Sequence, residues 1–295
     1  MNQSILTFLP EPLELPDKNY NKFLSLREFS ATSFALYEWC PLAWRMRYSQ
    51  GINLKYSAAR AFNADEPENL ERIEHIVISL ARAGGAEIGS LAHWLLAKLN
   101  FNFNFNFEDI TRDKLPYYLR SVWDDENSRG EVLNILNKFK NSQACLMLKD
   151  AGQKFKNNFA REAGFKIKFN NIILSGSMDL VWNDNGSWHV LDYKTTLKSH
   201  APDELYKSQL EFYALVLREL AVLNNNSFNS VQAGIIYLRD EDNKNEIKTW
   251  PVTGWDNLRK RVLSAAHNAA ANNFEANLNN CAVCPWRGDC VNFNK

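Results

Sequence analysis

The chain has 295 residues, 45% of them hydrophobic and 13% aromatic, enough apolar material for one large domain or two small ones, which excludes an intrinsically disordered chain. Lys plus Arg and Asp plus Glu both number 34, which excludes a strongly basic protein that coats nucleic acid; contact with DNA has to use local patches. No run of about 18 apolar residues occurs, and Met1 to Pro16 is acidic and proline-punctuated, so a soluble cytoplasmic protein without membrane contact is expected.

In chain order, residues 1–24, with Pro10, Pro12 and Pro16, read as a loosely held lead-in. A helix follows, capped by Ser30 or Thr32 and carrying an aromatic face of Phe34, Tyr37, Trp39, Trp44 and Tyr48. Residues 51–85 carry mixed charge, with a helix from Glu68 to Ala83. The next helix holds Gly89 and His93 at i and i+4, where a glycine lets another backbone or DNA come close to the histidine. Phe101–Phe107 alternates Phe with Asn; the Phe row can stack on single-stranded bases or pack on the core. Arg112 to Gln153 reads as two or three helices, with Cys145 as a packed small residue.

Glu162 stands at the approach to a strand, Phe165–Phe169, which turns at Asn170-Asn171 into Ile172–Leu174. From Ser175 to Thr196 the pattern is two strands around the turn Asn183 to Gly186. Period-two alternation places Trp188, Val190, Asp192 and Lys194 on one face, and His189, Leu191 and Tyr193 on the other. If Asp179 shares the face of Asp192, two carboxylates and an ammonium converge. Hard divalent ions take such oxygens and keep positions open for phosphate and water. Lys194, read as an exposed ammonium, can orient or deprotonate that water and stabilise charge growing on the phosphate. Asp203 to Leu220 reads as loop and long helix with Gln209 and Tyr213 on the hairpin side, Val231–Leu238 as a buried strand, Glu246–Trp250 as an edge strand, and Trp255–Asn273 as a helix. On that last helix Arg259, Lys260 and Arg261 form a phosphate patch or a solvated face.

Gly176-Ser177-Met178-Asp179 followed by Asp192-Tyr193-Lys194-Thr195 resembles the core of the PD-(D/E)XK nuclease superfamily, and within it the RecB-like branch. Gly89 to His93 is similar to the family's G-x-x-x-H helix, and Gln209 to Tyr213 to its Q-x-x-x-Y helix. The resemblance implies Mg²⁺ or Mn²⁺ held by His93, Asp179, Asp192 and the backbone carbonyl of Tyr193, with Lys194 positioning the water. Gln209 and Tyr213 would help hold the nucleic acid and the surroundings of the lysine, and Glu162 would be a helper. His75, His189, His200 and His267 are read as structural or surface residues.

Cys281, Cys284 and Cys290, spaced C-x₂-C-x₅-C, are too regular for an ordinary core and point to a metal. Spacing alone leaves zinc and iron-sulfur both open, and either needs a fourth ligand, which Cys40 supplies only if the chain ends meet. Tyr37 to Arg45 resembles the Y-x-x-C-P-x-x-x-R segment of RecB-like nucleases that carry a [4Fe-4S] cluster, which implies that cluster on the same four cysteines. The expected architecture is an α/β PD-(D/E)XK restriction-endonuclease-like core, a mixed sheet flanked by helices, with a helical insertion at about 50–155 and residues 25–295 as a single domain. The implied activity is DNA phosphodiester hydrolysis on single strands or DNA ends in repair or recombination. The alternatives are trimming of DNA for CRISPR adaptation and a nonenzymatic scaffold subunit. No G-x-x-x-x-G-K-[ST] loop is present, so a helicase or a CRISPR-adaptation protein is the expected partner.

Overall fold

Turn chemistry and a long apolar run build the central element. Asn185 and Gly186 both take positive φ (51° and 92°), the conformation of a tight primed hairpin turn, and join β3 (Ile172–Asp184) to β4 (Ser187–Lys194). The computed structural model describes residues 28–51, 85–98, 110–196, 203–239 and 247–290. The expected lead-in, the Glu68–Ala83 helix, the Phe101–Phe107 run and the loop around His200 lie outside them.

β3 is the trunk of a six-stranded mixed sheet. Along one edge it pairs antiparallel with β2 (Phe159–Phe169). Its other edge is divided. β1 (Glu28–Phe29) pairs parallel at the start, with Phe29 opposite Leu174, and β4 pairs antiparallel at the end, from Leu180 opposite Leu191. Ser175 to Asp179 have neither partner on that edge. β4 continues parallel to β5 (Ser230–Tyr237), which pairs antiparallel with β6 (Ile247–Pro251).

Helices cover both faces and make two cores. On one face lie α1 (Ala31–Trp39), α2 (Pro41–Trp44), α7 (Asp203–Leu223) and α8 (Trp255–Ala270), packed on Phe165, Ile167, Leu174, Val181 and Val190. On the other lie α3 (Gly85–Ala97), α4 (Arg120–Asp124), α5 (Glu126–Lys140) and α6 (Gln143–Lys154), packed on Leu180, Trp182, Leu191 and Tyr193. No helix of the described residues is long and apolar enough to cross a membrane. Cys145 is buried in α6, and burial pushes its thiol up to about 11.

Two expectations are corrected. The single aromatic helix after Ser30 is broken: Ser30 caps α1 through its side chain, α1 ends at Trp39, and Cys40 is extended (φ −163°) before Pro41 opens α2. Proline excludes the helical conformation from the residue before it, so the break follows from Cys40-Pro41 itself. The basic run on α8 is not a free phosphate patch: Lys260 is exposed, as on a solvated face, but both arginines are paired with carboxylates. Arg259 pairs with Glu219, and Arg261 bridges Glu38 of α1 and Glu211 of α7, its Nε 2.7 Å from Glu38 Oε1 and its Nη1 2.7 Å from Glu211 Oε2.

Trp44 joins the two ends of the described chain. Its ring is stacked on Phe29 of β1 (5.8 Å, 12°) and on Phe274 after α8 (5.7 Å, 17°), and its indole N–H donates to the buried Ser33 Oγ at 2.7 Å. Trp44→Ala should cost about 3–5 kcal/mol of stability in denaturant unfolding, through the cavity and the stranded Ser33 hydroxyl. Trp44→Phe should lose less.

Candidate active site

The site forms where β3 and β4 part. Their ladder stops at Leu180–Leu191, while β4 runs on along β5 through Lys194. The amide that loses its strand partner is taken by a side chain: Tyr193 N–H donates to Asp179 Oδ2 at 2.6 Å. Asp179 thus closes the end of the ladder and points a carboxylate into the gap.

The two strands reverse their faces at this point. Along β2, Ala163, Phe165, Ile167 and Phe169 join the first core, yet before Glu162 it is Ala160 that does so and Phe159 that joins the second. Along β3, Ile172, Leu174 and Met178 join the first core, whereas beyond Asp179 Val181 does so and Leu180 and Trp182 join the second. Glu162 carries the change with φ 46°, a left-handed conformation uncommon for a residue with a long side chain. Its carboxylate accepts from Ser177 Oγ at 3.2 Å.

Opposite lies His93 on α3. Gly89, one turn earlier, lets α3 approach the end of β4, since a Cβ there would sit 3.3 Å from Thr195 Oγ1. The close neighbour of this glycine is the side chain of Thr195, the residue after β4. His93 Nδ1 lies 3.2 Å from Asp179 Oδ1 and 4.0 Å from Glu162 Oε1, and Nε2 lies 3.0 Å from the Tyr193 carbonyl. Both ring nitrogens face acceptors, so both carry protons. Burial works against that charge, but Asp179 outweighs it and the imidazole is pushed up to about 9. One ligand atom each from His93, Glu162 and Asp179 lies within 4.8 Å of the others, a grouping that could hold a metal ion. Glu162, expected as a helper, therefore stands in this group, and burial with the charge of Asp179 pushes its carboxyl up to about 6.

Asp192 is turned toward Lys194 instead, its Oδ2 2.6 Å from Nζ in an ion pair. The lysine, expected to be exposed, has only 17% of its side chain accessible. Burial would lower its pKa, yet Asp192 and its other neighbours raise it, so it stays cationic. Burial pushes Asp192 up, and the charge of Asp179 adds to this against the pull of Lys194. Gln209 Oε1 accepts from Lys194 Nζ at 3.0 Å. Tyr213 is buried on α7 edge-on to Phe165, its phenol kept protonated by burial and by the nearby carboxylates. Sequence reasoning missed two contributors. Thr32, seen only as an alternative helix cap, accepts from Gln209 Nε2 at 3.2 Å. Tyr206 places its ring face 4.6 Å from Lys194 Nζ; its position three residues before Gln209 on α7 was the available signal.

Of the four terminal cysteines, Cys40, Cys284 and Cys290 are buried elsewhere in the first core and Cys281 is partly exposed. Asn277 and Asn280 side chains donate to the Trp39 carbonyl at 3.0 and 2.6 Å, and Tyr37 OH donates to the Asn273 carbonyl at 3.0 Å, so the tail is pinned beside Cys40. Burial pushes the Cys284 thiol up to about 12, and Cys40, Cys290 and Cys281 are close enough to add to the shift.

A family model described as the PD-(D/E)XK nuclease superfamily matches residues 28–291. Among solved structures the chain is similar to the crystal structure of SSO0001, at 12% identity over 97% of this chain and 94% of that chain with a TM-score of 0.40. It is similar also to a candidate exonuclease from Eubacterium rectale, at 11% identity over 95% of each chain with a TM-score of 0.45. Curated proteins give no match.

A cation bound by His93 must displace one of its protons. The affinity for Mn²⁺, measured by calorimetry, should therefore fall about tenfold per pH unit as pH drops from 9, and more steeply below about 6, where Glu162 also takes up a proton.

Proposed function

Because this chain belongs to the PD-(D/E)XK nuclease superfamily, we propose that it is a metal-dependent deoxyribonuclease of the RecB-like branch, hydrolysing phosphodiester bonds on single-stranded DNA or DNA ends in repair or recombination. The observation that carries this reading is the gap between β3 and β4, where the His93–Glu162–Asp179 group lies beside a lysine held by Asp192 and Gln209. The donor set fits a divalent cation, as nucleases of this superfamily use: one imidazole and two carboxylates, hard ligands that suit Mg²⁺ or Mn²⁺. Asp192 and the Tyr193 carbonyl are the remaining oxygens available to it. When bound, the ion would supply Lewis acidity toward a phosphate and a water.

In hydrolysis the water oxygen bonds to phosphorus, the ester P–O bond breaks, and the leaving oxygen takes up a proton. Lys194 supplies a fixed cation to the charge that grows on the phosphate oxygens. Asp179 and the Tyr193 carbonyl fix the plane of His93. The helicase or CRISPR-adaptation partner, like the pathway, belongs to this proposal.

We further propose that Cys40, Cys281, Cys284 and Cys290 hold a [4Fe-4S] cluster of structural role. What supports this reading is the resemblance of the Cys40 segment and of the C-x₂-C-x₅-C tail, together with the Asn277 and Asn280 hydrogen bonds to the Trp39 carbonyl that hold the tail beside Cys40. Trp286, between two of the cysteines, also buries an indole N–H without a hydrogen-bond partner, a donor available to an acceptor in the cage.

Anaerobically purified protein with Mn²⁺ should cut end-labelled DNA, and Lys194→Ala should lower the rate by about 10²–10³-fold. Deleting the lysine leaves the buried Asp192 without its cation, so this variant should melt lower in EDTA and recover part of the loss with Mn²⁺. Wild-type protein that does not cut any DNA with metal and cluster loaded would sink the nuclease reading. Cys284→Ser should lose brown colour and stability together; stoichiometric zinc in colourless wild type would overturn the cluster.

A further inference from the structure

The ammonium of Lys194 has three hydrogens. Asp192 and Gln209 Oε1 occupy two directions, and the face of Tyr206 lies 4.6 Å away as a third surface. Tyr206 is held by burial, with its hydroxyl and the buried Thr196 Oγ1 3.0 Å apart at the far end of the ring. The amide of Gln209 is equally constrained. Its Nε2 donates to Thr32 Oγ1, which leaves Oε1 to face the lysine; the flipped amide would present N–H groups to a cation. Thr32 lies in the first turn of α1, far from Lys194 in sequence.

We propose that Tyr206 and Thr32 are positioning residues for Lys194: the ring face of Tyr206 and the amide orientation imposed by Thr32 together hold the ammonium at the phosphate side of the site. An aromatic face attracts a cation and adds strength when the pair is shielded from water, as here. A long, flexible lysine chain would otherwise sample rotamers away from the gap, toward solvent. The proposal rests on the nuclease reading for its effect on rate, but the clamp itself is a property of the fold.

Two readouts separate these. The first is steady-state cleavage of DNA with Mn²⁺. Tyr206→Leu and Thr32→Val should lower kcat about 10- to 100-fold with KM within about twofold, whereas Tyr206→Phe and Thr32→Ser should retain most of the activity. The second is the rate at which an amine-specific reagent modifies Lys194 at fixed pH, followed by peptide mass spectrometry. Tyr206→Leu and Thr32→Val should speed modification severalfold, and the Phe and Ser variants should not. Equal damage by Tyr206→Phe and Tyr206→Leu would show that the hydroxyl bond, not the ring face, matters, and would overturn the proposal. So would unchanged kcat and modification in Tyr206→Leu. If wild type does not cleave DNA, the modification rates still decide the clamp, so a failed nuclease reading and a failed clamp give different results.

Discussion

Two carboxylates are buried side by side at the end of β4, and the arrangement around them follows from that charge. Asp179 and Asp192 are 9% and 6% exposed. Buried like charges repel, and desolvation costs each several kcal/mol unless cations and donors compensate. The compensation comes from opposite sides of the sheet. His93 arrives on α3 from the second core and balances Asp179; Lys194, backed by Gln209 and Tyr206 of α7, arrives from the first core and balances Asp192. The Tyr193 amide, released from its ladder, adds a neutral donor. Removing either cation leaves a surplus of negative charge, which is also the condition that draws in a divalent ion.

The first core depends on α1 in the same way. One end of this helix contributes Thr32 to the amide beside Lys194, and the other leads into Cys40. Between them Glu38 receives Arg261 of α8 and the Ser208 hydroxyl of α7, at 2.8 Å for the latter. Nine residues of helix span about 13 Å, so one rigid element connects the surroundings of Lys194 to Cys40.

Much of this was legible in the sequence because it obeys period and turn rules. Asn185-Gly186 fixed the hairpin, alternation placed Asp192 and Lys194 on one face, and the i, i+4 spacings of Gly89 with His93 and Gln209 with Tyr213 placed those pairs on helix faces. What escaped was non-local. No local pattern marks Thr32 as a partner of Gln209, because the contact depends on how α1 lies across α7. Reading Lys194 as exposed treated β4 as a surface hairpin strand, whereas β5 and α7 cover it. The break at Cys40-Pro41 was available in the sequence and was overridden by an aromatic face that continues across it.

The reversal at Glu162 and Asp179 could not have been found by alternation, since alternation assumes it does not happen. A regular strand would carry Asp179 on the same face as Val181, with the first core, and Glu162 with Ala160. The strands instead change face together where β3 has no partner on one edge among the described residues. At that point a side chain can leave the plane of either core and point along the sheet into the gap. A left-handed glutamate is a conformational cost, and it persists because the bonds and packing on either side of it are fully made. The same distortion brings the Glu162 carboxylate within 4.0 Å of His93, on an element otherwise committed to the core. The strain and the ligand grouping are therefore one feature: relaxing Glu162 to ordinary strand geometry would restore alternation and take a carboxylate out of the site.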